Sequence, residues 1–418
     1  MIKPPPLRND CFALPADVDW VPVDQALADL KSRIAAVVGE ETCLTEAAQG
    51  RILADDITAC RSSPPHANTA VDGYGFAGET ALGSGPVHLT LIKGRAAAGE
   101  PFTGTVPIGH AIRILTGAKL PEGVDTVVLQ EDVSTDRTQI AFNGPLKARA
   151  NTRQAGEDIA EGDIILSKGR RLTSADLALL SSVGVAEVPV FNSLRVGVLS
   201  TGDELCQTSD APEEGQIFDA NRPMLLALIA QFGFLPVDLG IVGDDRQLLS
   251  DKLDHASQTC DVILTSGGAS SGDEDHLSVL LKDTGSMAMW RIAVKPGRPL
   301  ALGMWQGVPV FGLPGNPVAA LTCTLIFARP AMSVLAGGAW QEPQGFLVPA
   351  AFEKSKKAGR REFLRARMND GAVEVFKSEG SGRVSGLSWA TGFVELSDEA
   401  QTIQTGDMVR YIPFSAFD

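Results

Sequence analysis

The sequence predicts a multidomain chain of mixed α/β and all-β segments, built around a central three-layer α/β domain. Two observations support this fold class. Three apolar strands between residues 195 and 317 each end in a glycine-containing polar corner, which is typical of an open α/β sheet with its ligand at the carboxyl ends of the strands. Short β segments separated by turn residues fill residues 57–152 and 345–414.

The N-terminal half predicts a helical region that is interrupted by an inserted β domain. Apolar residues follow helical spacing over residues 23–38, and a second helix is predicted over residues 44–54. Residues 57–152 change to short β segments typical of a small barrel or sandwich, and residues 174–183 return to helix with Thr173 as a cap. We expect residues 1–56 and 153–189 to pair in space, because they flank the inserted domain.

The C-terminal half predicts two further domains. Residues 190–336 alternate strand and helix, which indicates the α/β domain. Residues 337–418 return to a β pattern, for example at Gly392–Leu396 and 408–412, and predict a C-terminal β domain.

The most informative segment lies at residues 261–276. A buried strand stops at Ser266-Gly267-Gly268, and the acidic run 273–275 comes just before a helical pattern. A strand that ends in small residues at a helix start exposes backbone N–H groups to an anion. Carboxylates beside an anion suggest that a cation such as Mg²⁺ lies between them. The alternative is an ordinary strand–turn–helix junction with a solvated acidic first turn.

Two neighbouring segments extend this site. A strand carrying the cations Arg291, Lys295 and Arg298 is broken by Pro-Gly, and a later strand ends in the corner at residues 313–317. A proline at a helix start costs no hydrogen bond, and a glycine lets the backbone approach a ligand. Cations and an open corner together predict a second place for an anion. The alternative for Lys295 is a salt bridge to a neighbouring carboxylate.

Composition excludes several classes of partner. Lys and Arg number 36 against 51 Asp and Glu, a net charge of −15, which argues against nucleic acid and anionic membranes. The six cysteines lack metal-ligand spacing and predict reduced thiols in a cytoplasmic protein. The N-terminus lacks the apolar stretch of a signal peptide. Arg329 and Pro330 interrupt the apolar run at 318–340, which argues against a membrane span.

Further motifs stand in a fixed order along the chain. They are SPPHANTAVDGYGF at 63–76, RILTGAKLPEGVDTVV at 113–128, AGEDI at 155–159, STGDEL at 200–205, DANRPML at 219–225, SGGASSGDEDH at 266–276, KPGRP at 295–299 and GLPGNPVAA at 312–320. In this order they resemble the molybdopterin molybdenumtransferase family, which is called MoeA in bacteria and is homologous to the C-terminal part of gephyrin. The resemblance runs from about residue 20 to the C-terminus.

The resemblance implies an L-shaped subunit of four domains. These are an elongated dimerisation region (1–56 with 153–189), the inserted β domain (57–152), a molybdopterin-binding α/β domain (190–336) and the C-terminal β-barrel (337–418). It implies a homodimer whose active site draws on both subunits. The molybdopterin adenylyltransferase and downstream molybdoenzyme chaperones are further candidate partners.

The resemblance also implies the chemistry: molybdenum is inserted into molybdopterin, with adenylylated molybdopterin and molybdate as substrates and Mg²⁺-dependent release of AMP. The implied catalytic residues are Asp72, Thr116, Asp158, Glu204, Asp244, Asp275, Arg291 and Lys295, among which Glu204, Asp244 and Asp275 are the implied metal ligands. The implied substrate-binding residues are Ser266, Gly267, Gly268, Ser270, Arg298, Pro314, Gly315, Asn316 and Pro317.

Purely structural roles are open for several of these residues. Asp72, Thr116 and Asp158 are alternatively turn or cap formers, and Asp244 is alternatively the N-cap of the following helix. Asp219 and Asn221 are interpreted first as caps of a helix over residues 222–232. Two other functions are also open: an adenylyltransferase or pyrophosphatase with a related α/β domain, and a non-catalytic scaffold like gephyrin.

Overall fold

A computed structural model describes residues 20–267, 276–283, 287–297, 299–380 and 382–417. The chain divides into two compact units, Thr42–Val190 and Met1–Glu41 with Phe191–Asp418. The α-helices of the described residues are α1 (Val23–Arg33), α2 (Ser174–Ser182), α3 (Asn221–Gln231), α4 (Arg246–Thr259), α5 (His276–Asp283), α6 (Pro317–Cys323), α7 (Arg329–Leu335) and α8 (Ser385–Trp389).

The unit Thr42–Val190 contains a six-stranded sheet that lies within the predicted inserted domain. Its strands run in the order Thr126–Leu129, Gly73–Phe76, His110–Ile114, Gly85–Ala96, Gln139–Gly144 and Ser134–Thr135. Alternate residues point into the core, where Phe76, Ile140 and Phe142 are buried. Phe76 and Phe142 pack with their ring centroids 5.3 Å apart.

The segments on either side of this sheet share a second core. Ile57–Thr58 pairs with Ile164–Leu166, and Leu53 and Ile57 pack against apolar residues between 159 and 190. Thr173 caps α2, as the sequence predicts. It does so through a capping box, in which Thr173 and Asp176 exchange side-chain-to-backbone hydrogen bonds.

Near the N-terminus one predicted helix is absent and another is shorter than predicted. Residues 44–54 do not form a helix: Glu40–Leu44 is a strand and Thr45–Ala47 is a single 3₁₀ turn. Thr45 instead donates its hydroxyl to the carbonyl oxygen of Val185 (2.8 Å), and Gly50 adopts φ +76°, which a helix does not accommodate. α1 ends at Arg33 rather than at residue 38, because Ile34 is extended and Val37 donates its N–H to the carbonyl oxygen of Leu335 (2.9 Å).

The second unit contains the α/β domain. Its sheet has the order Leu235–Val242, Arg195–Thr201, Val262–Ser266, Val308–Leu313, Pro299–Trp305 and Met287–Arg291. The first four strands are parallel and the last two pair antiparallel at one edge. Val196, Val198, Ile263 and Leu264 are fully buried, as expected for strands covered on both faces.

Helices cover both faces of this sheet. The chain goes from Arg195–Thr201 outward to Leu235–Val242 and then returns across it to Val262–Ser266. Because parallel crossovers are right-handed, this reversal places α3 and α4 on opposite faces. α3 packs with α6, and α4 packs with α5, which gives the predicted three layers. The reversal also opens a crevice at the carboxyl ends of Arg195–Thr201 and Val262–Ser266.

The residues from Pro317 to Leu335 form one long helical segment, since a π-helical turn at Thr324–Ala328 joins α6 to α7. Arg329 and Pro330 therefore interrupt the apolar run of the sequence without breaking the helical segment. By length and hydropathy (1.7) these 19 residues would suffice to cross a membrane, but 94% of the segment is buried in the domain. Arg329 donates from Nε to the carbonyl oxygen of Phe417 (2.8 Å), which satisfies part of its charge inside the core.

The C-terminal strands close into a small barrel. The order along the sheet is Arg361–Asn369, Gly392–Leu396, Met408–Pro413 and Phe346–Pro349, and Ala372–Val375 pairs with the other edge of Arg361–Asn369. A bridge between Ala350 and Val373 joins the two free edges. Lys354–Lys356 pairs with Gln401–Ile403 as a separate ribbon, and Val294–Lys295 from the preceding domain adds to Arg361–Asn369.

Candidate active site

Three chain segments meet closely at the crevice of the α/β domain. Gly267 follows the strand Val262–Ser266 with φ +96°, and a Cβ added there would lie 2.5 Å from the carbonyl oxygen of Thr201. Its N–H donates to the carbonyl oxygen of Leu313 (3.3 Å), and a Cβ added at Gly315 would lie 3.6 Å from Gly267 Cα. The predicted residues Ser266, Gly267 and Gly315 are thus brought together, and only glycine fits at Gly267.

Asn221 links these segments, a role that the sequence did not predict. Its Nδ2 donates to Ser266 Oγ (2.6 Å) and to the carbonyl oxygen of Gly315 (2.7 Å). The cap of α3 is Asp219, whose Oδ1 accepts from the N–H groups of Asn221 (3.0 Å) and Arg222 (3.1 Å). The interpretation of Asp219 as a cap is therefore confirmed, whereas the Asn221 side chain connects two loops.

Buried polar atoms without partners belong to Asn221 and to the last residues of the two strands beside the crevice. Ser200 Oγ, Thr201 Oγ1, Thr265 Oγ1 and Asn221 Oδ1 have no hydrogen-bond partner in the described part of the chain. Leaving such a group unsatisfied costs about 1–3 kcal/mol, so native proteins usually pair it with a ligand or an ordered water. The donor and acceptor set at these strand ends therefore fits a polar ligand.

The corner at residues 314–317 begins the long helical segment. Asn316 is the N-cap of α6, and its Oδ1 accepts from the N–H of Val318 (3.2 Å). Pro317 follows at the first helical position, where its missing N–H costs nothing. This capping fixes Pro314 and Gly315 immediately before a helix N-terminus and beside the crevice.

Acidic residues follow the ends of the strands Arg195–Thr201 and Leu235–Val242. The N–H of Asp244 donates to Asp203 Oδ1 (2.9 Å), and the N–H of Asp203 approaches Asp244 Oδ2 (3.4 Å). Asp245, not Asp244, caps α4, since its side chain accepts from the N–H groups of Gln247 and Leu248. The alternative that Asp244 is the N-cap of this helix is therefore wrong. Asp203 was not among the residues predicted from the sequence. Glu204 is exposed next to Asp203.

These carboxylates are compatible with Mg²⁺, which commonly binds one or two protein carboxylates together with substrate oxygens. Among the residues that the structure describes, no cluster of three His, Cys, Asp or Glu side chains has metal-binding geometry. Asp275, the third predicted ligand, lies outside the described residues, as do Gly268, Ser270 and Arg298.

A different group of predicted residues lies in the unit Thr42–Val190. Asp72 Oδ1 accepts from the hydroxyl (2.6 Å) and the N–H (2.7 Å) of Thr116. These two bonds, with a smaller contribution from the Arg113 charge, hold the pKa of Asp72 below its usual range. Arg113 stacks over Tyr74 at 5.1 Å. Asp158 is exposed, and no hydrogen bond or ion pair joins it to Asp72 or Thr116 in the described structure.

Lys295 belongs to an ion-pair cluster at the edge of the C-terminal barrel. Its Nζ lies 2.6 Å from Glu379 Oε2 and 3.6 Å from Glu362 Oε1. Lys354 contacts both carboxylates as well, at 3.2 Å from Glu362 Oε2. The salt bridge considered as an alternative for Lys295 is therefore present. Arg291 is half-buried, and its carbonyl oxygen accepts from the N–H of Val21 (3.0 Å).

A cavity of about 280 Å³ adjoins this cluster. Its lining includes four cationic side chains, those of Lys295, Lys354, Arg365 and Lys377. Val318 of α6 also lines it, which places the cavity next to the corner at 314–317. These cations outnumber the two carboxylates of the lining, Glu353 and Glu379, which suits an anion despite the net charge of −15 on the whole chain.

Arg365 shapes one wall of this cavity. It is 4% exposed, and its guanidinium donates to the carbonyl oxygens of Arg383 (2.6 Å), Ser378 (2.5 Å) and Gly380 (3.1 Å). Burial lowers the pKa of Arg365 from its usual value. The sequence analysis missed Arg365, Lys354 and Glu379, because it treated residues after 336 only as a β pattern.

Family models match three stretches of the chain. The MoeA N-terminal region (domains I and II) matches residues 21–184, a probable molybdopterin-binding domain matches 197–333, and the MoeA C-terminal region (domain IV) matches 348–414. The matches cover the α/β domain and the segments on both sides of it.

Individual relatives agree with these models. The molybdopterin molybdenumtransferase of Haemophilus influenzae is 35% identical over 94% of this chain and 98% of its own length. Molybdopterin molybdenumtransferase 2 of Mycobacterium tuberculosis is 30% identical over 87% of this chain and 92% of its own. A crystal structure of a molybdopterin biosynthesis MoeA protein from Pyrococcus horikoshii has a TM-score of 0.83 at 28% identity, covering 95% of this chain and 100% of that one. The chain therefore belongs to the MoeA family of molybdopterin molybdenumtransferases.

Proposed function

We propose that this chain inserts molybdenum into molybdopterin, taking adenylylated molybdopterin and molybdate and releasing molybdenum cofactor and AMP. The observation that carries the proposal is the crevice at Gly267, where three segments meet beside buried polar atoms without partners. The names of the relatives support the same reaction. The family match on both sides of the α/β domain does not favour an adenylyltransferase or pyrophosphatase built on that domain alone.

We assign the substrate contacts to two places. Backbone N–H groups near Gly267 and Gly315 would bind the phosphate and pterin, as strand ends at helix starts do. The cationic cavity with Lys295 would hold molybdate, because a cation paired with an oxyanion forms strong charge-assisted hydrogen bonds. Asp72 stays ionised at neutral pH, since its lowered pKa lies well below that range. We expect the reaction to take place in the cytoplasm.

The direct test supplies purified protein with adenylylated molybdopterin and molybdate, and follows molybdenum cofactor formation and AMP release together. We expect both products in equal amounts. Release of AMP without cofactor would instead indicate a pyrophosphatase, and neither product would indicate a scaffold.

We propose Mg²⁺ as the cofactor, with Asp244, Glu204 and Asp275 as its protein ligands. When bound it would neutralise negative charge on the phosphate oxygens. Chelation should therefore stop AMP release. Asp244→Ala should raise the Mg²⁺ concentration required for half-maximal rate by at least about tenfold, while the melting temperature changes little.

The adjacent Asp245→Ala variant is the matched control for this experiment. Asp245 caps α4, so its loss should cost about 1 kcal/mol of stability and leave the Mg²⁺ requirement unchanged. If the two variants show the same Mg²⁺ dependence as wild type, Asp244 is not a metal ligand.

We further propose a homodimer in which Asp72 and Thr116 of one subunit serve the crevice of its partner. The test mixes two inactive variants, Asp72→Ala and Glu204→Ala, and allows the subunits to exchange. In a shared-site dimer one site of each heterodimer is intact, so about a quarter of the wild-type activity should return after random exchange. Proven heterodimers without activity would contradict the shared site.

A further inference from the structure

The two lysines of the cationic cavity share two carboxylates that differ in exposure. Lys295 and Lys354 each contact both Glu362 and Glu379. The Glu362 side chain is 9% exposed and lies on the strand Arg361–Asn369, whereas the Glu379 side chain is 45% exposed. Glu362 is therefore the internal member of the cluster, and Glu379 is the member on the solvent side, in the lining of the cavity.

The backbone on either side of Glu379 is held in place, whereas the contacts of its side chain are those with Lys295 and Lys354. Arg365 donates to the carbonyl oxygens of Ser378 and Gly380, the residues on either side of Glu379. The carboxylate can thus leave the lysines by a change of rotamer, without moving the loop. Partial burial opposes its ionisation, but the hydrogen bonds from Lys295 and Lys354 hold the pKa of Glu379 below its usual range. It is therefore a carboxylate at neutral pH.

The contact of Glu379 with the two lysines helps to neutralise their charge. Two ammonium groups and two carboxylates sum to zero, so the cluster as it stands attracts an anion only weakly. If Glu379 swings away, Lys295 and Lys354 face the cavity with a single carboxylate between them, a net charge of +1. A tetrahedral dianion brings two charges to this position, whereas the glutamate brings only one.

We propose that Glu379 is an internal competitor that occupies the oxyanion position between Lys295 and Lys354, and that a tetrahedral dianion of the molybdate type must displace it in order to bind. The proposal rests on the proposed function, because it takes the cavity as the molybdate site. It makes Glu379 a determinant of oxyanion affinity and of preference for dianions over monoanions.

The experiment measures binding of molybdate alone to the full-length protein by equilibrium dialysis and metal analysis, so that no turnover is needed. Glu379→Gln keeps the shape of the side chain and removes its charge. We expect molybdate to bind about tenfold more tightly, because the loss of a charge-assisted competitor favours the ligand by that order. Glu379→Ala should also bind molybdate more tightly. This second variant is needed because the glutamine of the first could still hydrogen-bond to the lysines.

Glu353→Gln is the matched control. Glu353 lines the same cavity and carries the same charge, but it forms no ion pair with Lys295 or Lys354 in the described structure. We expect the Glu353→Gln variant to bind molybdate with an affinity within about twofold of wild type. If the Glu353 and Glu379 variants gained molybdate affinity equally, the gain would come from the overall charge of the cavity. That result would overturn the proposal.

A third variant separates this inference from the proposed function. If Lys295→Ala weakens molybdate binding but the Glu379 variants bind no more tightly than wild type, the competitor is ruled out and the oxyanion site stands. If Lys295→Ala binds molybdate as wild type does, the oxyanion site itself is wrong, and the competitor is ruled out with it.

Discussion

Replacing Asn221 with aspartate should lower the free energy of unfolding by about 3–5 kcal/mol and abolish turnover, because it puts an uncompensated charge in a buried position. The Asn221 side chain is 6% exposed and donates to Ser266 Oγ and to the carbonyl oxygen of Gly315. The Ser266 hydroxyl can turn to donate to a carboxylate, but the carbonyl oxygen of Gly315 cannot donate. One carboxylate oxygen would therefore lie close to that carbonyl oxygen, where the amide nitrogen of Asn221 now lies at 2.7 Å. The variant must therefore bind a proton or separate the two loops that form the crevice.

The measurement is urea unfolding together with the rate of AMP release. Asn143→Asp serves as a control, because Asn143 is exposed on the strand Gln139–Gly144 and such surface changes usually stay within about 0.5 kcal/mol. Wild-type stability and turnover in Asn221→Asp would show that this side chain does not hold the crevice together.

The elements of the α/β domain could be predicted because their signals are local. Buried parallel strands are continuous apolar runs, so the strand Val262–Ser266 was recognised within two residues, and the Thr173 cap is encoded within four positions. Residues 44–54 gave a wrong prediction for the opposite reason. Their apolar side chains have helical spacing, but Ala48 and Leu53 are buried against partners between residues 159 and 190.

The same distinction separates the predicted site residues from the missed ones. Gly267 and Gly315 lie in corners that the sequence displays directly. Asn221 reaches Ser266 across 45 positions and Gly315 across 94, and Lys295 reaches Glu379 across 84. A single sequence does not show which polar residues meet over such separations. The identity of the catalytic carboxylates came from the family resemblance, since their spacing alone is compatible with caps and turns.

The ion pairs of Lys295 alter the stability expected of its variants without removing its proposed role. Lys295 and Lys354 both contact the buried Glu362, so each lysine offsets part of the cost of burying that carboxylate. Loss of Lys295 should therefore lower the melting temperature somewhat, and stability alone cannot distinguish a structural lysine from one that binds an oxyanion. The molybdate dependence of the rate can.

Lys295→Ala should raise the molybdate concentration for half-maximal rate by roughly ten- to hundredfold, since a charge-assisted contact contributes on the order of 1.5–3 kcal/mol. The rate at saturating molybdate should fall much less, because the lost contact contributes to molybdate binding and not to the later chemical step. Lys147→Ala is the control: Lys147 is exposed, carries the same charge and does not line this cavity. Its variant should shift half-saturation only slightly. An unchanged half-saturation point in Lys295→Ala, together with a lower melting temperature, would leave Lys295 a purely structural residue.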